Sequence, residues 1–163
     1  MAFALRVFFL LCGISGLMSG VSSTSLPVKN GGGCCPKGWT QLDGYCYIFR
    51  HETKPFVEAE KTCKSLGGNL VSIHSYLENL LVLGLIEEEN VEFAWIGLHD
   101  PVGHGVFQWT DGAFFGYDNF PKGQPNDNGD CVVIYRAGDW FAKDCSFPMP
   151  FVCILDTDCC GGR

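Results

Sequence analysis

Apolar positions in the first half of the chain recur at helical spacing. Phe56, Ala59, Cys63 and Leu66 form one such series, opened by Thr53 and by Pro55 as a first-turn residue, and Gly67-Gly68 stops it. A second helix is expected from the capping box Ser75-x-x-Glu78, with Leu77, Leu80, Leu81 and Gly84 along one face. Between the two, residues 69–73 alternate apolar and polar, as a short strand does. From Glu92 onward the pattern changes. Gly, Pro, Asp and Asn punctuate short aromatic-rich runs at 93–98, 106–109, 131–135 and 151–153, which read as strands. The longest connection, 110–130, is too long for a passive link in a compact domain, so it is either a functional loop or a wrong element assignment. Helices first and strands later indicate an α+β fold.

The ends read differently from the middle. One basic residue, Arg6, precedes the apolar run 7–14 and a small-residue tail, the pattern of a secretory signal peptide spanning 1–22. Cleavage after Ser22 is expected, with Ser15 and Ser23 as alternatives. An uncleaved anchor is the competing reading, but the run falls short of the ~20 apolar residues a membrane span needs. Residues 23–33 are rich in Ser, Gly and Pro and read as a flexible linker, leaving 34–160 as one domain. The protein is therefore expected to be secreted and extracellular.

Composition narrows the chemistry. Of ten cysteines, Cys12 falls in the signal, leaving nine, an odd number in an oxidising compartment. The doublets Cys34-Cys35 and Cys159-Cys160 lack the spaced pairs of zinc sites, so disulfides are the better use. The formal charge is −7, or −8 once the single positive charge of Arg6 is gone, and basic residues are scattered. That excludes an electrostatic footprint for nucleic acid or anionic membrane. No Asn-x-Ser/Thr sequon occurs.

An enzyme is not expected, because the chain has no nucleophile elbow, phosphate loop or His-Glu-x-x-His motif. His99 and His104 beside Asp100 could form part of a metal site, although two histidines in a Gly-rich loop are more often solvated. The cysteine doublets resemble those of disulfide-rich secreted hydrolases, but neither has a histidine next to it. Glu87-Glu88-Glu89 with Glu92 reads as a solvated segment after the second helix.

Several short motifs in fixed order carry a more specific resemblance. They are Cys35-Pro-Lys-Gly-Trp39, Tyr45-Cys-Tyr47, Ala59 with Cys63, Gly68-Asn-Leu-Val-Ser-Ile-His74, Trp95-Ile-Gly-Leu98, Phe107-Gln-Trp-Thr-Asp-Gly112, Gln124-Pro-Asn126, Asp130-Cys131, Trp140 with Cys145, and Phe151-Val-Cys153. Over 35–154 the chain resembles the C-type lectin domain family. The resemblance implies two helices with antiparallel strands and a long irregular ligand loop. It implies the disulfides Cys35–Cys46, Cys63–Cys153 and Cys131–Cys145, the long Cys63–Cys153 closure being worth about 4–5 kcal/mol on the chain-entropy model. It also makes pairing of Cys34 with Cys159 or Cys160 feasible. The remaining thiol would then form an interchain bond, giving a disulfide-linked dimer, or be capped by a small molecule. Trp95, Ile96, Leu98, Phe107, Trp109 and Trp140 are core positions in this reading.

In sugar-binding members the loop holds calcium, which takes about 6–8 oxygen ligands, and the same oxygens meet sugar hydroxyls. The resemblance carries that role onto Gln124 and Asn126, around a cis Pro125, and onto Asp130. The family's Glu-Pro-Asn goes with mannose-type sugars and Gln-Pro-Asp with galactose-type; Gln124-Pro125-Asn126 fits neither. Where the family has Trp-Asn-Asp, this chain has Trp140-Phe141-Ala142, with no side-chain oxygen after the Trp. The family's acidic residue two before the cysteine is Gly129, and Asp144 would contribute only if the backbone bends. Calcium is therefore expected to be weak or absent at the principal site. An auxiliary calcium position would use Asp100, Asp127 and Asp130, with His104 in place of a family glutamate, but turn chemistry is the favoured reading of Asp100 and Asp127. Phe141 is expected to add an apolar surface beside Gln124 and Asn126. The leading expectation is a secreted lectin recognising glycans with degraded calcium dependence. The alternative is a calcium-independent lectin-like domain binding a protein or ice, as in fish type II antifreeze proteins.

Overall fold

The computed structural model of the protein describes residues 35–157, with the exception of 104. The signal and linker segments, His104, and the pairing of Cys34 with Cys159 or Cys160 lie outside the described residues. The elements in chain order are β1 (Thr40–Leu42), β2 (Tyr45–Lys54), α1 (Phe56–Ser65), β3 (Asn69–Leu70), α2 (Tyr76–Glu88), β4 (Phe93–His99), β5 (Gln108–Trp109), β6 (Cys131–Tyr135), β7 (Trp140–Lys143) and β8 (Met149–Asp156). They form one sheet in the order β1-β2-β8-β4-β6-β7, with β3 added to β8 and β5 to β4. All pairings are antiparallel except β4 with β8. This is the expected α+β architecture.

The helix ends follow local chemistry. At the end of α1, Gly68 N–H donates to Cys63 C=O and Gly67 N–H to Lys64 C=O, each at 3.0 Å, a Schellman arrangement. Gly67 takes the left-handed φ of 92° that this cap requires. Pro55 is the N-cap and Thr53 belongs to β2, so the helix opens later than its sequence signal. At α2, Ser75 Oγ accepts from Glu78 N–H at 3.2 Å, while Glu78 Oε2 accepts from His74 N–H at 2.6 Å. The Ser75 half of the capping box is formed, while the Glu78 carboxylate reaches one residue further back, to His74.

The face that α2 turns inward is not the one its leucines indicate. Asn79, Val82 and Ile86 are buried, whereas Leu77 and Leu80 are exposed. The physical reason is Asn79. Its Oδ1 accepts from Trp140 Nε1–H at 2.8 Å and its Nδ2 donates to Gly138 C=O at 3.1 Å, two bonds only an inward Asn can make.

Apolar side chains divide between the two faces of the sheet. Phe56, Ala59 and Cys63 of α1 pack with Trp95, Val133 and Phe151. Val82 and Ile86 of α2 pack with Ile96, Leu98, Trp109 and Trp140. The expected core residues are all buried, except Phe107, which is half-buried. The three disulfides are Cys35–Cys46, Cys63–Cys153 and Cys131–Cys145, with Cα atoms 5.5, 5.4 and 5.2 Å apart. No helix among the described residues is long and apolar enough to cross a membrane.

Replacing Asn79 by Ala or Leu leaves the buried Trp140 Nε1–H without its partner. Either variant is expected to lose about 1–3 kcal/mol in urea unfolding, Leu no less than half of the Ala loss, because restored volume does not replace the acceptor.

Candidate functional site

Residues 110–130 form a loop with no regular elements, and its own aromatic side chains hold it down. Tyr117 and Phe120 each stand edge-on to Trp140 at 5.7 Å, and Phe115 meets Trp109 at 6.2 Å. Asn119 adds a backbone anchor: its C=O accepts from Trp140 N–H at 3.0 Å and its Nδ2 donates to Gly138 C=O at 2.8 Å. At the loop's start Ser72 Oγ donates to Asp111 Oδ2 at 2.5 Å. At its end Cys131 is tied to Cys145.

The Gln124-Pro125 bond is cis. The two side chains flanking Pro125 serve different hollows. Gln124 lines a pocket of about 250 Å³ with Phe93, Phe141, Ala142, Lys143 and Phe147. Asn126 lines a smaller one, about 140 Å³, with Asp127, Asp130 and Asp100. Phe141 accordingly stands beside Gln124 but not beside Asn126. It is held edge-on to Phe93 at 6.4 Å and Tyr135 at 6.1 Å, which turns its ring toward that corner of the sheet. Lys143 and Phe147 belong to the Gln124 pocket too, with Nζ 5.0 Å from the ring centroid. Phe147 lies beyond the Trp140–Cys145 motif, so spacing alone does not single it out.

One side-chain oxygen each of Gln124, Asn126 and Asp144 already accepts a hydrogen bond. Gln124 Oε1 accepts from Ala142 N–H at 3.0 Å, Asn126 Oδ1 from Asn128 N–H at 3.1 Å, and Asp144 Oδ1 from Ser146 N–H at 2.8 Å. The Ser146 backbone and side chain hold the Asp144 carboxyl below the ordinary carboxylate range, against a smaller opposing effect of burial. Ala142 is buried and carries no side-chain oxygen. Gly129 is enforced by space. A Cβ there would lie 2.1 Å from Lys143 C and 2.3 Å from Asp144 N, at a φ of 153°. An acidic side chain cannot occupy that position without moving β7. Among the described residues, no group of three or more His, Cys, Asp or Glu is arranged to hold a metal ion. The donor set does not fit a calcium ion that needs about 6–8 oxygens.

Asp100 is buried and acts as the floor of the smaller hollow. Its Oδ1 accepts from Val102 and Gly103 N–H at 3.2 and 2.9 Å, and Oδ2 from Gly105 N–H at 2.5 Å. Burial pushes its pKa up, but the combined N–H groups of Gly105, Val102, Gly103 and Val106 outweigh it and hold the carboxyl below the usual range. Asp100 N–H also donates to Asp130 C=O at 2.7 Å, which ties the two ends of the hollow together. His99 is not a solvated loop residue. It ends β4, paired with Gln108 and Cys131, and its ring lies 5.5 Å from that of Phe56. It faces a larger hollow of about 590 Å³ beneath α1.

The chain is similar to known proteins in both sequence and fold. The family model described as "Lectin C-type domain" matches residues 52–154. The low affinity immunoglobulin epsilon Fc receptor of Mus musculus is 37% identical over 132 residues, 77% of this chain and 39% of that protein. Ladderlectin of Oncorhynchus mykiss is 37% identical over 105 residues, 61% of this chain and 55% of that protein. This chain thus spans well under two thirds of either relative. Among solved structures, human lithostathine is 31% identical with a TM-score of 0.72, covering 75% of this chain and 99% of that one. The carbohydrate-recognition domain of cow CD23, solved with a GlcNAc2Man3 oligosaccharide, is 34% identical at 0.68, covering 75% and 95%. A calcium-independent type II antifreeze protein is 28% identical at 0.69, covering 75% and 94%. By sequence over most of its described length, and by fold, this chain belongs to the C-type lectin domain family.

Proposed function

We propose that the chain is a secreted glycan-binding module, residues 34–160, whose dependence on calcium is weak or lost. The observation that carries this reading is the bond from Ala142 N–H to Gln124 Oε1 at 3.0 Å. A backbone amide occupies the place that a metal's charge would otherwise serve in fixing the Gln124 carboxamide. The exposed Asn126 and Asp130, around the hollow floored by Asp100, are the polar groups best disposed to meet sugar hydroxyls, and Gln124 brings its Nε2 amide hydrogens to the second pocket. Phe141 and Phe147 offer an apolar surface there on which a ring face can stack. The similarity to the cow CD23 domain solved with an oligosaccharide supports a glycan ligand. The leader pattern and the disulfides support secretion.

A calcium-independent domain that binds a protein or ice is the second reading. It is favoured by the apolar side chains around the loop, above all Phe114, which is 86% exposed, and by the likeness to the calcium-independent antifreeze protein. A glycan array run with and without chelator separates the two, since only the first reading gives array signal.

Calcium titration by calorimetry is expected to show no binding tighter than about 1 mM. Micromolar binding that Gln124→Ala or Asn126→Ala abolishes would make the site an ordinary calcium-dependent one. Restoring the family's acid with Gly129→Asp is expected to cost about 2–4 kcal/mol in thermal unfolding and to confer no calcium affinity, because its Cβ collides with the β7 backbone. The Asp100 anchor has a sign in pH. Its carboxyl is held below its unfolded value of about 3.9, so its contribution is full above that pH and lost as pH falls through the lower folded pKa. Amide signals of Gly103 and Gly105 are expected to move in that acid window, and Asp100→Asn is expected to reduce the acid-dependent loss of stability, leaving the share of Asp144.

A further inference from the structure

Helix α2 is apolar at every position from Leu80 through Ile86, so apolar side chains fall on more of its circumference than one packed face can cover. Here the sheet takes only the face of Asn79, Val82 and Ile86. The opposite face is left open, with Tyr76 66%, Leu77 55% and Leu80 41% exposed. Gly84 continues the same face one turn beyond Leu80, and a Cβ built on it meets nothing within 4 Å. The face ends in Glu87 and Glu88. The last turn has no basic residue, so these carboxylates sit unfavourably at the negative end of the helix dipole, and Glu88 forms no ion pair among the described residues.

We propose that this face of α2 binds the same face of a second copy of the chain, antiparallel and about a two-fold axis. The pattern is complementary to itself in one register. Centring the axis on Val82 sets Leu80 opposite the partner's Gly84, so that the leucine fills the notch the glycine leaves and the helices approach to about 8 Å. The same register sets Tyr76 opposite the partner's Glu88 and Leu77 opposite the partner's Glu87. The Tyr76 hydroxyl then donates to a carboxylate, and each acidic C-terminal turn meets the positive end of the facing helix. Each contact occurs twice, as a closed two-fold interface requires. A face of 13 residues is about 20 Å long and covers less than the ~800 Å² per partner of a standard stable interface. The dimer is accordingly reversible, with micromolar or weaker affinity.

The test is sedimentation equilibrium on the full mature protein, from low to several hundred micromolar. Non-reducing gels set aside any covalently linked fraction. The wild-type mass is expected to rise from monomer towards dimer and no further. Leu80→Glu is expected to weaken association by about tenfold or more. The discriminating variant is Gly84→Leu, which adds apolar surface but fills the notch, and it is expected to weaken the dimer as well. Circular dichroism and thermal unfolding check that both variants keep the fold, as expected where Leu80 is exposed and a Cβ at Gly84 meets nothing within 4 Å. A wild-type protein monomeric throughout, masses growing beyond the dimer, or a Gly84→Leu variant that associates more strongly would each overturn the proposal, the last by showing undirected apolar contact.

Discussion

Strand β8 is the constraint on which the rest of the molecule depends. It pairs with β2 along one edge, with β3, and with β4 in the sheet's single parallel contact, and through Cys153 it is bonded to Cys63 of α1. Segments 90 residues apart are thereby fixed to one another. The close packing leaves no slack: a Cβ on Gly68 would lie 1.9 Å from Ile154 O. Because β4 is anchored on β8, and β6 and β7 on β4, the long loop leaves and re-enters the sheet at fixed points. Its geometry is an outcome of the sheet.

The loop itself is secured by aromatic packing and by hydrogen bonds, neither of which needs an ion. Aromatic rings on Trp109 and Trp140 hold its first half, Asn119 links it to the turn before β7, and Gln124 bonds to the backbone of β7. The absent oxygens at Phe141 and Ala142 and the close approach at Gly129 belong to the same solution. The loop meets β7 through the bond from Ala142 N–H to Gln124 Oε1 and through the close approach of Gly129 to Lys143. Asp100 adds to this by drawing the amides of Val102, Gly103 and Gly105 onto its own carboxylate.

Much of the scaffold is legible in the sequence because its determinants are local. Ser75 with Glu78 and Gly67-Gly68 announce helix ends through bonds spanning only a few residues. Less legible is β2, whose half beyond Arg50 is exposed on both faces and therefore shows no alternation. The inward face of α2 is hidden for the opposite reason. Nearly every position is apolar, and the decision falls to a polar residue, Asn79, whose partner is 61 residues away. The site follows the same rule. Gln124 and Asn126 are neighbours in sequence, yet they serve separate hollows, because Gln124 answers to a backbone amide 18 residues distant. The missing ligands at Phe141, Ala142 and Gly129 could be read directly. The bonds that replace them could not.

The central claim is that the chain, and not a metal, orders the ligand loop. Hydrogen exchange at the Ala142 and Gly105 amides in the presence of chelator tests it most directly, since both protons are bonded to site side chains. Strong protection in chelator, unchanged when calcium is added, is the result this account predicts. Exchange near the solvent-exposed rate until calcium is supplied, followed by protection, would contradict it.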